Sequence, residues 1–230
     1  MYVLSLPYIF ENDEHVFRAL DGEAGKELSD GLLNASGMLR GLAYTYCGGF
    51  RVTPTSGVEI NTVEDFSKLT MAYPDSPITK DTYEALKIKT YATQKFETIK
   101  NTKANLINGF VSTYPRYANS GEMPIANVVN ETRETVLISN LVINDEFYKK
   151  LPEEFQKIIS EEAMSAAKVE REESIRIGEE IRKSSNGKNF KFVKLSKEEI
   201  ERAKKMTAVV YERYESAFGS ELIKKIINAK

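Results

Sequence analysis

Residues 151–183 read LPEEFQKIISEEAMSAAKVEREESIRIGEEIRK and carry the strongest helical signal in the chain. Pro152 suits the first position of a helix, where a missing N–H costs nothing, and Glu153 and Glu154 favour the positive end of the helix dipole. At about 1.5 Å per residue, a helix over this segment is about 46 Å long, which exceeds the width of a small domain. We therefore expect it to brace two lobes.

Strands and helices alternate around this helix. Capping boxes predict helix starts at Thr62 and Ser196, the second helix ending near Phe218, while CGGFRVTPTSG (47–57) predicts a connection between regular elements. Apolar runs predict strands at GLAYTY (41–46), KLTMAYP (68–74), TYATQKF (90–96), TVLISNLVI (135–143, buried) and FKFVKL (190–195). The alternation predicts an α/β fold.

Composition narrows the function classes. The 32 basic and 34 acidic residues leave a formal charge of -2, so no electrostatic feature favours a nucleic acid or an anionic membrane as a partner. Cys47 and His15 are the single residues of their types, which argues against an intrachain disulfide and a zinc site. No motif for nucleophilic or phosphate-binding catalysis is present. We expect a protein that is not an enzyme and has no cofactor or metal, with His15 on a helix surface or at a cap.

The opening, MYVLSLPYIFENDEHVF, lacks the features of a signal peptide. Pro7 interrupts the apolar run, no basic residue precedes it, and Glu11, Asp13 and Glu14 follow at once. The segment is interpreted as a buried strand or turn that enters a helix, so the chain is expected to begin in mid-fold.

Residues 6–51 resemble the solute-binding subunits of TRAP (tripartite ATP-independent periplasmic) transporters, the DctP-like family. The likeness rests on LPYIF, the segment from His15 to LDGEAGKEL, GLAY and Gly49-Phe50-Arg51, and it continues through LVINDEFYKKLPEEF. It implies a periplasmic-binding-protein-like α/β fold of two lobes, crossed by strands and one long helix, without the usual N-terminal part. Lobe I would comprise 1–48 and 140–183, and lobe II 49–139 and 187–218, with the helix at 219–230 unassigned.

The same resemblance implies a ligand site between the lobes. Arg51 matches a cleft arginine of the family, whose guanidinium fork suits a carboxylate. Ala72 replaces the arginine that usually anchors the substrate. The resemblance implies further ligand-binding positions at Asp75, Glu97, Asn108 and Ser112. Beside them we expect Tyr73 to form an aromatic wall next to Ala72, and Ser76 to act as a neutral donor to the carboxylate. Local roles remain open as alternatives, namely a turn or a surface ion pair for Arg51, and capping or turn formation for Glu97 and Asn108.

Two functions follow as expectations. The first is an extracytoplasmic or periplasmic solute-binding subunit that captures a small organic, carboxylate-bearing ligand between two lobes and delivers it to TRAP membrane subunits. The alternative is a truncated, ligand-free paralogue that acts by oligomerising or binding a partner. Since missing N-terminal strands would leave sheet edges unpaired, the chain is also expected to associate with itself. The replacement at Ala72 predicts weak binding of small C4-dicarboxylates.

Overall fold

The computed structural model describes residues 2–72, 75–92, 97–185 and 190–229. In these ranges the helices are α1 (Asp13–Asp21), α2 (Glu23–Ser36), α3 (Pro77–Ala85), α4 (Thr98–Lys103), α5 (Tyr114–Asn119), α6 (Asp145–Lys150), α7 (Glu153–Ser185), α8 (Lys197–Phe218) and α9 (Ser220–Ile227). The strands are β1 (Leu39–Phe50), β2 (Thr53–Thr55), β3 (Thr70–Ala72), β4 (Lys89–Tyr91), β5 (Val128–Glu131), β6 (Val136–Asn144) and β7 (Lys191–Lys194). Short 3-10 helices cover Tyr2–Ser5, Val63–Lys68 and Met123–Ile125. None of the helices described is long and apolar enough to cross a membrane.

The described residues form two larger hydrophobic cores and two smaller hydrophobic clusters. The first is built around α1, α2, β1 and α9 and includes Val16 and Ile226, neither of which is exposed. The second is built from the 3-10 helix Val63–Lys68, β3 and α3, with Phe66 buried in it. Helix α8 packs Val210 into the first core and Ala203 into the second. The fold is therefore an α/β arrangement of two lobes, as the sequence predicts.

Short sheets complete the scaffold. Strand β5 pairs antiparallel with β2 and parallel with β7, and β3 pairs parallel with β4. The longer strands β1 and β6 pair antiparallel with each other. The sequence predicts an end to β1 near Tyr46, but the strand continues through the glycines to Phe50.

A bulge interrupts the pairing of β1 with β6. Thr45 lies opposite Ser139 and Gly49 opposite Leu137, so residues 46–48 of β1 face a single residue of β6. Such a bulge leaves backbone groups without ladder partners and bends the strand. Gly48 and Gly49 have φ of +96° and +78°, a region that glycine enters without steric cost.

Side chains of α7 accept the amides that the bulge leaves unpaired. Glu170 accepts hydrogen bonds from the backbone N–H of Tyr46 at 2.6 Å and of Cys47 at 3.1 Å. The Ser174 hydroxyl accepts one from the Gly48 N–H at 3.2 Å and donates to Glu170 at 2.6 Å. These contacts give partners to backbone donors that the β1–β6 ladder leaves unpaired, so α7 and the bulge stabilise each other.

A buried ion pair attaches α7 to the first lobe. The Arg171 side chain is 4% exposed and makes two hydrogen bonds of 2.7 Å to the carboxylate of Asp21, at the end of α1. The same guanidinium donates to the Tyr44 carbonyl at 3.0 and 2.7 Å and lies 4.9 Å from the centroid of the Phe17 ring. One side chain thus joins α1, β1 and α7.

The predicted position of His15 was wrong. His15 is 3% exposed rather than on a helix surface. Its Nδ1 lies 3.1 Å from the N–H of Glu11, so it accepts there, and Nε2 therefore donates to the Ile226 carbonyl at 2.8 Å. Asn12, rather than His15, caps α1. The histidine joins α1 to α9 across 211 residues of sequence, a long-range contact that no local pattern reveals.

The ends of the apolar segments also differ from the predictions. The opening residues, predicted as a buried strand or turn, form a 3-10 helix over Tyr2–Ser5. Strand β6 forms where the sequence predicts it, but Leu141 and Val142 are 43% and 41% exposed rather than buried. In the ranges that the structure covers, β6 is paired only along its β1 edge, so part of its apolar surface has no cover.

Candidate functional site

A cavity of about 280 Å³ opens where β1, α3 and β6 meet. Arg51 follows β1, Asp75 and Ser76 precede α3, and Glu134 precedes β6, so three separate chain segments converge on it. Its remaining walls come from α3 and from neighbouring loops, through Ser5, Thr79, Thr82, Tyr83, Val111, Thr135 and Val136. We call this space the cleft cavity. Its size lies near the small end of the range for small-molecule sites, roughly 300–1,000 Å³.

Arg51 is positioned by its backbone, which leaves its side chain available. Its N–H donates to the Thr135 carbonyl at 2.9 Å, which continues the β1 and β6 pairing by one step. Within the ranges described, the guanidinium makes no hydrogen bond or ion pair with another side chain. An arginine at a cavity wall without a carboxylate partner presents five donors to an incoming anion.

Glu134 is a buried carboxyl in the wall of the cleft cavity. It is 8% exposed, and one carboxylate oxygen accepts a hydrogen bond from the Thr132 hydroxyl. Burial raises the pKa of Glu134, and the hydrogen bond from Thr132 and the charge of Arg51 oppose that rise without cancelling it. Burial and the nearby Glu134 also raise the pKa of Tyr83 and Tyr8, so both phenols stay neutral.

The raised pKa predicts a pH-dependent effect of Glu134→Gln on stability. A carboxyl whose folded-state pKa exceeds its unfolded value, about 4.3, contributes stability that is complete below the unfolded pKa and is lost as pH rises through the folded one. We therefore expect the glutamine variant to unfold at higher urea concentration than the wild type at about pH 7, and at the same concentration below about pH 4. Equal midpoints at both pH values would show that Glu134 ionises as it does in the unfolded chain.

The structure brings three of the sequence-predicted site residues together and leaves others elsewhere. Arg51, Asp75 and Ser76 line the cleft cavity. The Ser76 hydroxyl accepts a hydrogen bond from the Thr79 N–H at 3.5 Å and so also caps α3. Ala72 ends β3 and is half-buried. Tyr73 lies outside the described residues.

Glu97 and Asn108 have local partners. Glu97 precedes α4 and pairs with Lys100 at 2.8 Å, away from the cleft cavity. The Asn108 side chain accepts from the Thr70 N–H at 2.7 Å and donates to the Lys68 carbonyl at 2.9 Å. Both ends of this amide therefore support the backbone beside β3, in agreement with the turn role left open by the sequence.

Ser112 lies beside Arg51 without lining the cavity. Its backbone exchanges two hydrogen bonds with Val52, at 2.9 and 3.0 Å, which places it next to the strand end that carries Arg51. The side chain is 1% exposed, and its hydroxyl has no hydrogen-bond partner among the residues described. Val111, its neighbour, forms part of the cavity wall instead.

A second cavity of about 220 Å³ lies under α7 and shares Arg51 with the first. Its acidic Glu131 accepts from the Tyr114 hydroxyl at 2.6 Å and pairs with Arg182 at 3.0 Å. Arg133 stacks on the Phe50 ring, 3.9 Å from its centroid. Glu131 is therefore paired within the protein, whereas Arg51, Arg133, Arg182 and Lys194 give this lining more cations than the lining of the cleft cavity has.

A comparison with protein families decides the classification. The model of the DctP family, described as bacterial extracellular solute-binding protein, family 7, matches residues 1–217. The chain belongs to this family. The resemblance to TRAP solute-binding proteins that the sequence motifs indicate is thereby confirmed.

The individual relatives have low sequence identity to this chain. A solute-binding protein of Chromohalobacter salexigens is 26% identical over 169 residues, which cover 74% of this chain and 49% of that protein. The C4-dicarboxylate-binding protein DctB of Bacillus subtilis is 23% identical over 232 residues, 99% of this chain and 65% of that protein. The chain therefore spans about half of the first relative and about two thirds of the second.

Solved structures of the family have the same fold. The crystal structure of a TRAP periplasmic solute-binding protein from Chromohalobacter salexigens with bound D-glucuronate superposes with a TM-score of 0.87. The two are 22% identical, and the match covers 100% of this chain and 75% of the other. At this identity the likeness demonstrates the shared two-lobe fold.

The motifs did not reveal Glu134. It lies in the polar stretch NETRET, residues 130–135, which has no apolar period and resembles an ordinary loop. The sequence offered one indication of Glu134, because it is an acidic residue directly before a predicted apolar strand. Loops at the ends of strands often hold functional groups in clefts.

Proposed function

We propose that this chain is the solute-binding part of a TRAP-type secondary transporter, and that it captures a small organic acid and delivers it to membrane subunits. The observation that carries the proposal is Arg51, whose guanidinium lines the cleft cavity and has no side-chain partner in the described part of the chain. Membership of an extracellular solute-binding family supports it. We place the protein in the periplasm or outside the cytoplasmic membrane, and we assign it binding without catalysis.

Recognition of a carboxylate follows from the chemistry of Arg51. A planar guanidinium gives a carboxylate two parallel hydrogen bonds, and partial burial strengthens them because water competes less. The relatives support an acidic ligand as well, since one is called a C4-dicarboxylate-binding protein and another holds D-glucuronate.

Closure of two lobes would couple binding to delivery. Helix α8 runs between the two cores, with Val210 in the first and Ala203 in the second. A ligand that contacts both sides binds the closed form more tightly and shifts the population towards it. The membrane subunits would then distinguish the closed, loaded form from the open one.

Ligands of similar shape but different charge test the proposal on the 230-residue chain. We expect D-glucuronate to raise the melting temperature, because a ligand that binds only the folded state at about 100 times its Kd adds about 2.7 kcal/mol of stability. The methyl ester of glucuronate, which keeps the sugar ring but lacks the charge, and D-glucose should have no effect. If a broad set of organic acids leaves the melting temperature and calorimetric signal unchanged, the proposed function is wrong.

A further inference from the structure

The cleft cavity has an unusual balance of charge for a site that binds acids. Among the described residues that line it, Arg51 is the cation and Glu134 is a buried carboxyl. A ligand with one carboxylate can pair with Arg51. A ligand with two must place its second carboxylate in a partly buried space that offers no second cation among those residues, and a buried charge without a partner is strongly disfavoured.

The remaining polar groups of this cavity suit hydroxyl groups. The Tyr83 side chain is 6% exposed, and its hydroxyl has no hydrogen-bond partner within the ranges described. The Thr82 hydroxyl already donates to the Ile78 carbonyl at 2.8 Å, so it can only accept from a ligand. Glu134, when ionised, is likewise an acceptor and has one oxygen engaged by Thr132. Carboxylate and hydroxyl acceptors are satisfied by donors such as alcohol O–H groups.

We infer that Glu134 determines the specificity of this site: Arg51 binds the single carboxylate of a hydroxylated acid, and Glu134 accepts a hydrogen bond from a ligand hydroxyl while it repels a second carboxylate. The inference rests on the proposed function and narrows it to hydroxylated monocarboxylates.

The wild-type chain provides the first test. Isothermal titration with D-glucuronate, succinate and hexanoate compares a hydroxylated monocarboxylate with a dicarboxylate and with a monocarboxylate that lacks hydroxyls. We expect D-glucuronate to bind at least about tenfold more tightly than either of the others, since each good hydrogen bond to a charged group contributes about 1.5–3 kcal/mol. Succinate binding as tight as that of D-glucuronate would overturn the inference and leave the proposed function standing. Failure of every acid would overturn both.

Glu134→Gln tests the role of the side chain itself. The amide keeps the size of the carboxyl but removes its charge, so the affinity for D-glucuronate should fall and the preference for D-glucuronate over succinate should shrink at least about tenfold. Glu131→Gln is the matched control, because Glu131 lies three residues away and lines the cavity under α7 instead. Circular dichroism verifies folding, and Glu134→Asp, which retains the charge, should keep the preference. An unchanged preference in folded Glu134→Gln would refute the assignment.

Discussion

Replacement of Arg171 by methionine should lower the free energy of unfolding by about 3 kcal/mol, at the low end of the range for breaking a buried ion pair. The loss has two parts. The Tyr44 carbonyl loses its guanidinium donors, and the Asp21 carboxylate, which is 31% exposed, keeps partial access to water but loses its partner. Methionine retains much of the apolar stem that packs beside Phe17, so the variant isolates the polar contribution. Urea unfolding followed by circular dichroism measures the change.

Arg176→Met is the matched control for this experiment. Arg176 lies on the same helix and also contacts two acids, Glu173 and Glu180, but its side chain is 53% exposed. Exposed pairs contribute little because water and salt already solvate both charges. We therefore expect the unfolding midpoint of Arg176→Met to stay close to that of the wild type. Equal losses in the two variants would mean that Arg171 contributes no more than a surface charge.

Arg51→Ala should weaken the binding of an acidic ligand by about 2 kcal/mol, or about 30-fold, with little change in stability. The Arg51 side chain makes no ion pair in the described part of the chain, so its removal leaves no acid without a direct partner. The substitution does remove the favourable charge interaction between Arg51 and the buried Glu134. Arg51→Lys should recover only part of the affinity, because an ammonium group lacks the planar fork. Titration calorimetry with D-glucuronate measures all three proteins.

Arg182→Ala shows which cavity holds the ligand. Arg182 lines the cavity under α7 but not the cleft cavity, whereas Arg51 lines both. If the ligand occupies the cleft cavity, Arg182→Ala binds as the wild type does. A large loss in Arg182→Ala would move the site under α7, and full affinity in a folded Arg51→Ala would reduce Arg51 to a turn residue.

The parts of the fold with local signals could be predicted from the sequence. Helix α7 begins one residue after Pro152 and ends at Ser185, within two residues of the prediction. Ser196 caps α8 as predicted, accepting from the Glu199 N–H at 3.2 Å. The capping box is only half formed, because the Glu199 carboxylate instead accepts from the Val63 N–H at 2.7 Å. That contact joins segments 136 residues apart, and nothing in the local pattern specifies it.

The candidate site could also be predicted from the sequence only in part. Arg51, Asp75 and Ser76 lie next to regular elements, so aligned motifs could place them near one another. Asn108 occupies a turn as its sequence suggests, and both the oxygen and the nitrogen of its side-chain amide are hydrogen-bonded to backbone groups. Glu134 could not be found, because its burial depends on how α3 and β6 meet, which is a property of tertiary packing.

The bulge in β1 makes strand curvature depend on the axial position of α7. Glu170 and Ser174, one helical turn apart, hold three successive amides of the strand. A displacement of α7 along its axis would therefore change the length and angle of all three hydrogen bonds together. A change in the bend of β1 at residues 46–48 would disturb these contacts, so we expect the strand and α7 to move together.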